Sequence, residues 1–182
     1  MNRAIPGVLC LLTAFLLASC ANGIHSKTGG GPQSVSPTLA QISSSAQVVK
    51  VASSPVTIPQ NGSADAVITL SISPGFHINA NPATFPYLIA TEVKASSVEG
   101  ITVGTPSYPA AEKKKFQFAE QPLAVYEGEV RVTLSLRAEK NASAGPRSLP
   151  ITVRIQACDH EQCFPPATVN VTIAVQCEIG QR

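Results

Sequence analysis

Polar and apolar residues alternate with a period of two along most of the chain beyond residue 46. In Asp65–Ser73, Ala66, Ile68, Leu70 and Ile72 share one face, while Val67, Thr69 and Ser71 share the other. Glu129–Ala138 repeats the pattern, with Val130, Val132, Leu134 and Leu136 predicted to point inward. Leu149–Ala157 and Ala167–Val175 alternate in the same way. Shorter runs at Gln47–Ala52, Tyr87–Ala95 and Ile101–Val103 predict further strands. This is strand periodicity, with side chains on opposite faces at successive positions. Turn signals such as Asn61-Gly62 separate the runs. Seven or eight short strands in about 130 residues predict an all-β fold, a two-sheet sandwich. No helix, internal repeat or second domain is expected.

Between the last two runs lies Gln156-Ala157-Cys158-Asp159-His160-Glu161-Gln162-Cys163-Phe164-Pro165-Pro166. The two cysteines therefore belong to one hairpin, and a spacing this short lets their sulfurs bond with little backbone movement. Parity puts Ile151, Val153, Ile155 and Ala157 on the inner face. It puts Thr152, Arg154, Gln156 and Cys158 on the polar face, so Cys158 is expected to be accessible. Cys177 keeps the inward parity of Val169, Val171, Ile173 and Val175, and is expected to be a buried or end-of-strand thiol.

The N-terminus changes what the cysteines mean. Asn2-Arg3 precedes an apolar run, Ala4–Leu17, that is shorter than a membrane span of about 20 residues. The run ends in Leu17-Ala18-Ser19-Cys20, which looks like a bacterial lipobox. Residues 1–19 are expected to be a lipoprotein signal peptide and Cys20 the lipidated residue. Ala21 stands where an inner-membrane retention Asp would be, which favours the outer membrane in a two-membrane cell. Residues 20–45, rich in Gly, Ser, Pro and Thr, are expected to form a flexible tether with a root-mean-square reach of about 25–30 Å. Residues 46–182 form the folded head. Export permits disulfides. Cys10 leaves with the signal and Cys20 carries lipid, so Cys158, Cys163 and Cys177 remain, an odd count.

Composition excludes some classes. Charged residues make up 13 % of the chain and the formal charge is +2. Without Arg3, 12 basic residues stand against 11 acidic ones, or +1. Such a balance argues against nucleic acid or an anionic membrane face. Lys113-Lys114-Lys115 reads as a solvated face that could also steer an acidic partner.

The residues themselves leave three readings of the cysteine pair open. As a staple, a loop this short is worth only about 2 kcal/mol in chain-entropy terms. As a redox couple, the pair would sit on an accessible face. As a metal clamp, Cys158, His160 and Cys163 would need a further ligand from Cys177, His77 or a carboxylate. Asp159 and Glu161 disfavour a thiolate, and a protonated His160 would favour one.

Three ordered segments resemble the N-terminal periplasmic domain of the thiol:disulfide interchange protein DsbD. They are Pro74-Gly75-Phe76-His77-Ile78-Asn79-Ala80-Asn81-Pro82; Phe116-Gln117-Phe118 with Leu123–Glu129; and Ile155–Cys158 with Cys163-Phe164-Pro165-Pro166. The resemblance runs from about Val48 to Val175. It implies an immunoglobulin-like two-sheet β-sandwich with a redox-active Cys158–Cys163 disulfide on one cysteine-bearing hairpin. It implies Phe116 or Phe118 as a cap over the cysteines, with His77 and Asn79 beside them and His160 between them. It further implies electron flow from a membrane-embedded thiol reductase to periplasmic thioredoxin-like proteins, without cofactor or metal. A lipid would stand in for the family's transmembrane segment, giving a monomeric envelope lipoprotein facing the periplasm. Cys158 is expected to be the sulfur attacked first. The alternative is a binding or assembly lipoprotein with a structural disulfide.

Overall fold

The two strongest alternations become the two strands at the centre of one sheet. Ser63–Ile72 and Glu129–Ala138 pair antiparallel from Ser63↔Arg137 to Ser71↔Glu129. Every second side chain is sealed: Ala66, Ile68, Leu70 and Ile72 face Val130, Val132, Leu134 and Leu136, all buried. The computed structural model describes residues 41–179. In chain order the strands are β1 (Val49–Ser53), β2 (Val56–Pro59), β3 (Ser63–Ile72), β4 (His77–Asn79), β5 (Glu92–Ala95) and β6 (Ile101–Val103). They continue as β7 (Glu112–Lys114), β8 (Leu123–Tyr126), β9 (Glu129–Ala138), β10 (Gly145–Ile155), β11 (Ala157–Cys158) and β12 (Ala167–Glu178).

Two sheets make the sandwich. One has the order β1-β3-β9-β6, the other β2-β12-β10-β5. All of their pairings are antiparallel except β2 with β12, which is parallel. Ile68, Leu70, Val132 and Leu134 of the first sheet join Leu149, Ile151, Val153 and Ile173 of the second in one continuous core. A third, smaller sheet of order β11-β4-β8-β7 carries the cysteine segment. Its strands have two to four residues each, too short for periodicity to reveal.

Two expected strands change at their ends. Gln47–Ala52 begins instead with a 3-10 turn, Ser45–Gln47, capped by Ser44, and the strand starts at Val49. Tyr87–Ala95 keeps only Glu92–Ala95 as a strand. The preceding residues are held by side chains: Asn79 Nδ2 donates to the Ile89 carbonyl at 3.1 Å and Asn81 Nδ2 to the Thr91 carbonyl at 2.8 Å. Those carbonyls are thereby taken from any ladder, and Tyr87 is left exposed.

The expected signal peptide, Cys20 and most of the expected tether lie outside the described residues. The last tether residues do not behave as tether. Ser45 is fully buried. Its N–H and hydroxyl both donate to the Pro165 carbonyl, at 3.0 and 2.8 Å, and the hydroxyl accepts the Ala157 N–H at 2.8 Å. One serine thus clasps both ends of the cysteine segment. Ser45→Ala leaves a buried N–H unpaired, and is expected to cost about 1–3 kcal/mol, read as a lower denaturant midpoint at unchanged m-value.

Candidate functional site

The cysteine segment grows out of the β10–β12 hairpin, whose ladder ends at Ile155↔Ala167. Parity along β10 predicted an accessible Cys158, and the structure overturns that: Cys158 is fully buried. The chain leaves its sheet after Ile155, and Gln156 makes the break. Ala157 and Cys158 then join the third sheet against β4, with Ala157↔Ile78 and Cys158↔His77. Ala157 and Cys158 are consecutive and both buried, so both faces of β11 are covered, as are those of β4. Cys163 is half-buried.

The residues between the cysteines close as a tight turn. Asp159 Oδ1 accepts the N–H groups of Glu161 and Gln162, both at 2.8 Å, and the Asp159 N–H donates to the Gln162 carbonyl at 2.9 Å. This is the local side-chain turn that Asp favours. Burial works against the charge of Asp159, but those two N–H donors outweigh it and hold the carboxyl below its ordinary range. The turn brings Cys158 and Cys163 into an isolated antiparallel bridge, with Cα atoms 3.9 Å apart, and the sulfurs form a disulfide. The Phe164 N–H closes the base on the Ala157 carbonyl at 2.8 Å.

Gln156 ties this segment to its neighbours. Its Oε1 accepts from Asn79 Nδ2 at 3.3 Å and from the Ile89 N–H at 3.4 Å. Asn79 is fully buried in β4, two residues from His77, and is therefore part of the platform under the disulfide rather than of a connecting turn. Gly75 sits in the turn before β4 at φ 85°, a left-handed conformation that a residue with a Cβ resists.

His77 lies beside Cys158 and is 2 % exposed. Phe116 stacks on its imidazole, with ring centroids 4.0 Å apart and an interplanar angle of 20°. Burial is the main influence on His77 and lowers its pKa from 6.5 to about 4. Glu127 and Asp159 oppose that shift, and His160 and Lys114 reinforce it.

The two candidate cap residues part company. Phe116 is buried against Leu123 and Val125, while Phe118 is 41 % exposed, its ring stacked on Phe116 at 5.4 Å. His160 is exposed, 6.3 Å from the Phe116 ring. His160, His77, Phe116 and the Lys113–Lys115 run border one cleft of about 580 Å³. Within it Lys114 pairs with Glu127 and, at 3.5 Å, with Glu112. The lysine run is therefore partly neutralised rather than a free basic face.

Cys177 is buried and unpaired at the far end of the hairpin, opposite Gly145. Ten strand positions separate it from Ala167 (177 − 167), about 33 Å at the rise of a strand. With the disulfide closed, Cys158 and Cys163 offer no thiolate to a metal. The sequence carried no signal that Ser45, expected in the tether, belongs to this site; Gln156 and Glu127 fall inside the resembling motifs, but neither had a role assigned there.

Residues 45–174 match the family described as thiol:disulfide interchange protein DsbD, N-terminal. No curated protein matches the chain in sequence. Among solved structures, the chain is similar to one described as the complex between the DsbD N-terminal and PilB N-terminal domains from Neisseria meningitidis. Identity there is 17 %, over 59 % of this chain and 73 % of that one, with a TM-score of 0.41. It is also similar to the N-terminal periplasmic domain of ScsB from Proteus mirabilis, at 15 % identity over 70 % of this chain and 45 % of that one, with a TM-score of 0.42. A PapD-like domain of human CEP192 matches at 11 % identity over 86 % and 99 %, with a TM-score of 0.39.

Proposed function

Because this chain belongs to the DsbD N-terminal domain family, a thiol–disulfide exchange module with a cysteine pair, we propose that it is a lipid-anchored electron carrier of the cell envelope. In this reading Cys20 holds the lipid and residues 20–44 form the tether. The head collects electrons from a membrane-embedded thiol reductase and passes them to periplasmic thioredoxin-like proteins. Among the described residues no helix is long and apolar enough to cross a membrane.

The observation that carries the reading is the asymmetry of the disulfide. Cys158 is sealed within the third sheet, while Cys163 is half-buried at the end of the turn. A partner thiolate therefore attacks Cys163 rather than Cys158. A mixed disulfide forms at Cys163 and the Sγ–Sγ bond breaks, leaving its electron pair on Cys158. A second partner thiol then attacks the mixed disulfide. This yields the partner's own disulfide and a reduced Cys158/Cys163 pair. In the other half of the cycle the same steps run in reverse towards an oxidised recipient.

The test is a redox titration of the intact protein against glutathione and dithiol buffers, read by the mass of alkylated thiols. The expected outcome is a reversible two-electron couple above the structural-disulfide range of about −300 mV. A bridge that resists reduction until the sandwich melts would assign it a structural role and overturn the carrier reading.

A further inference from the structure

The exchange reading leaves one chemical demand unmet: opening the disulfide creates a thiolate on a fully buried residue. Desolvation makes such a charge costly unless a donor faces it. His77 and Cys158 are Cα partners in the antiparallel pair of β4 and β11. Directly opposed residues project from the same face of a sheet, with Cβ atoms about 4.5–5.5 Å apart. Phe116 covers one face of the imidazole. His77 Nε2 is buried and has no hydrogen-bond partner. Buried polar nitrogens are nearly always paired, and one left single beside a reactive sulfur points to a partner acquired in another state.

We propose that His77 is the hydrogen-bond partner of Cys158 in the reduced protein, its Nε2–H donating to the Cys158 sulfur once the disulfide opens. The step balances without any further reagent. The attacking thiolate bonds to Cys163, the Sγ–Sγ electron pair passes to Cys158, and the His77 N–H holds that charge until a proton arrives from the medium. Four ionisable groups face the imidazole. Glu127 and Asp159 favour its protonation, while Lys114 and His160 oppose it. Burial is the largest influence and holds the imidazole pKa at about 4 while the disulfide is closed, so the ring meets the opening sulfur as a neutral N–H donor. A better-stabilised Cys158 thiolate is also a better leaving group, which speeds attack at Cys163.

The inference rests on the exchange reading, but its test needs no exchange partner. Full-length chains with Cys10, Cys20, Cys163 and Cys177 replaced by Ala leave Cys158 as the sole thiol, titrated by thiolate ultraviolet absorbance. His77→Phe keeps the ring stack on Phe116 and removes the donor; the Cys158 pKa is expected to rise by about one unit or more. His77→Gln, which returns an N–H donor that does not titrate, is expected to recover much of that shift. An unchanged Cys158 pKa in His77→Phe would overturn the proposal. In the His77 parent, the imidazole nitrogen signals in nuclear magnetic resonance are expected to titrate with the Cys158 midpoint. Signals indifferent to that midpoint would overturn it equally, without relying on either substitution to fold. An irreducible disulfide in the native protein would instead defeat the exchange reading and leave this result standing.

Discussion

Cys158→Ala is expected to capture partner proteins as stable mixed disulfides, whereas Cys163→Ala captures about tenfold less in the same time or worse. Both variants lose electron transfer altogether, because each removes one half of the couple. They differ in what is left. Cys158→Ala leaves Cys163 half-buried on the Asp159 turn, with no neighbouring thiol to resolve what it captures. Cys163→Ala leaves Cys158 fully buried in the strand paired with β4. A partner thioredoxin-like disulfide cannot reach that sulfur unless the turn opens. The readout is the yield of mixed disulfide after acid quenching, with the captured protein identified by mass. Cys177 does not confuse it, since it is buried at the other end of the hairpin. Equal yields from the two variants would mean that the cysteine turn opens freely. Preferential capture by Cys163→Ala would reverse the order of attack.

Phe116→Ala is expected to destabilise the fold by about 3 kcal/mol or somewhat more, and Phe118→Ala by no more than about 0.5 kcal/mol. Phe116 fills a small core with Leu123 and Val125 and stacks on buried His77. Removing it opens a cavity and exposes the imidazole that backs the disulfide. Phe118 keeps 41 % of its surface in water and stacks on Phe116. Denaturant midpoints at constant m-value separate the two. The same pair of variants tests the shielding role. If Phe116 guards the disulfide, Phe116→Ala is reduced by small thiols several-fold faster in native buffer, with Phe118→Ala close to the parent. If Phe118 is the guard, the order of rates inverts while the order of stabilities stands.

The two long sheets were legible because their strands are long enough to average out exceptions. Ser63–Ile72 and Glu129–Ala138 each offer ten residues of alternation, and every inward position named from the pattern is buried. Cys177 at the end of β12 obeyed the same rule. The third sheet was not legible as a sheet. His77–Asn79 and Ala157–Cys158 are three and two residues long, and below four residues period two cannot be told from chance. That is where parity failed for Cys158: the extrapolation assumed that the chain stays in its sheet past Ile155, and it does not. Tyr87–Ala95 failed for a related reason, since the Asn79 and Asn81 side chains took carbonyls that a strand would have used.

By itself, then, the sequence determined the all-β class, the inward faces of the long strands, the placing of both cysteines on one hairpin, and, through three ordered motifs, the family. These follow from local periodicity and local spacing, which a linear chain carries in full. Tertiary structure alone decided which sulfur is reachable, which phenylalanine is core, and what stands beside Cys158. His77 lies 81 positions before Cys158 in the chain (158 − 77) yet faces it across a ladder. Ser45 lies 112 positions before Ala157 and accepts its N–H. No periodicity encodes such meetings; they arise when the third sheet closes on the end of the hairpin and its buried backbone donors find acceptors there.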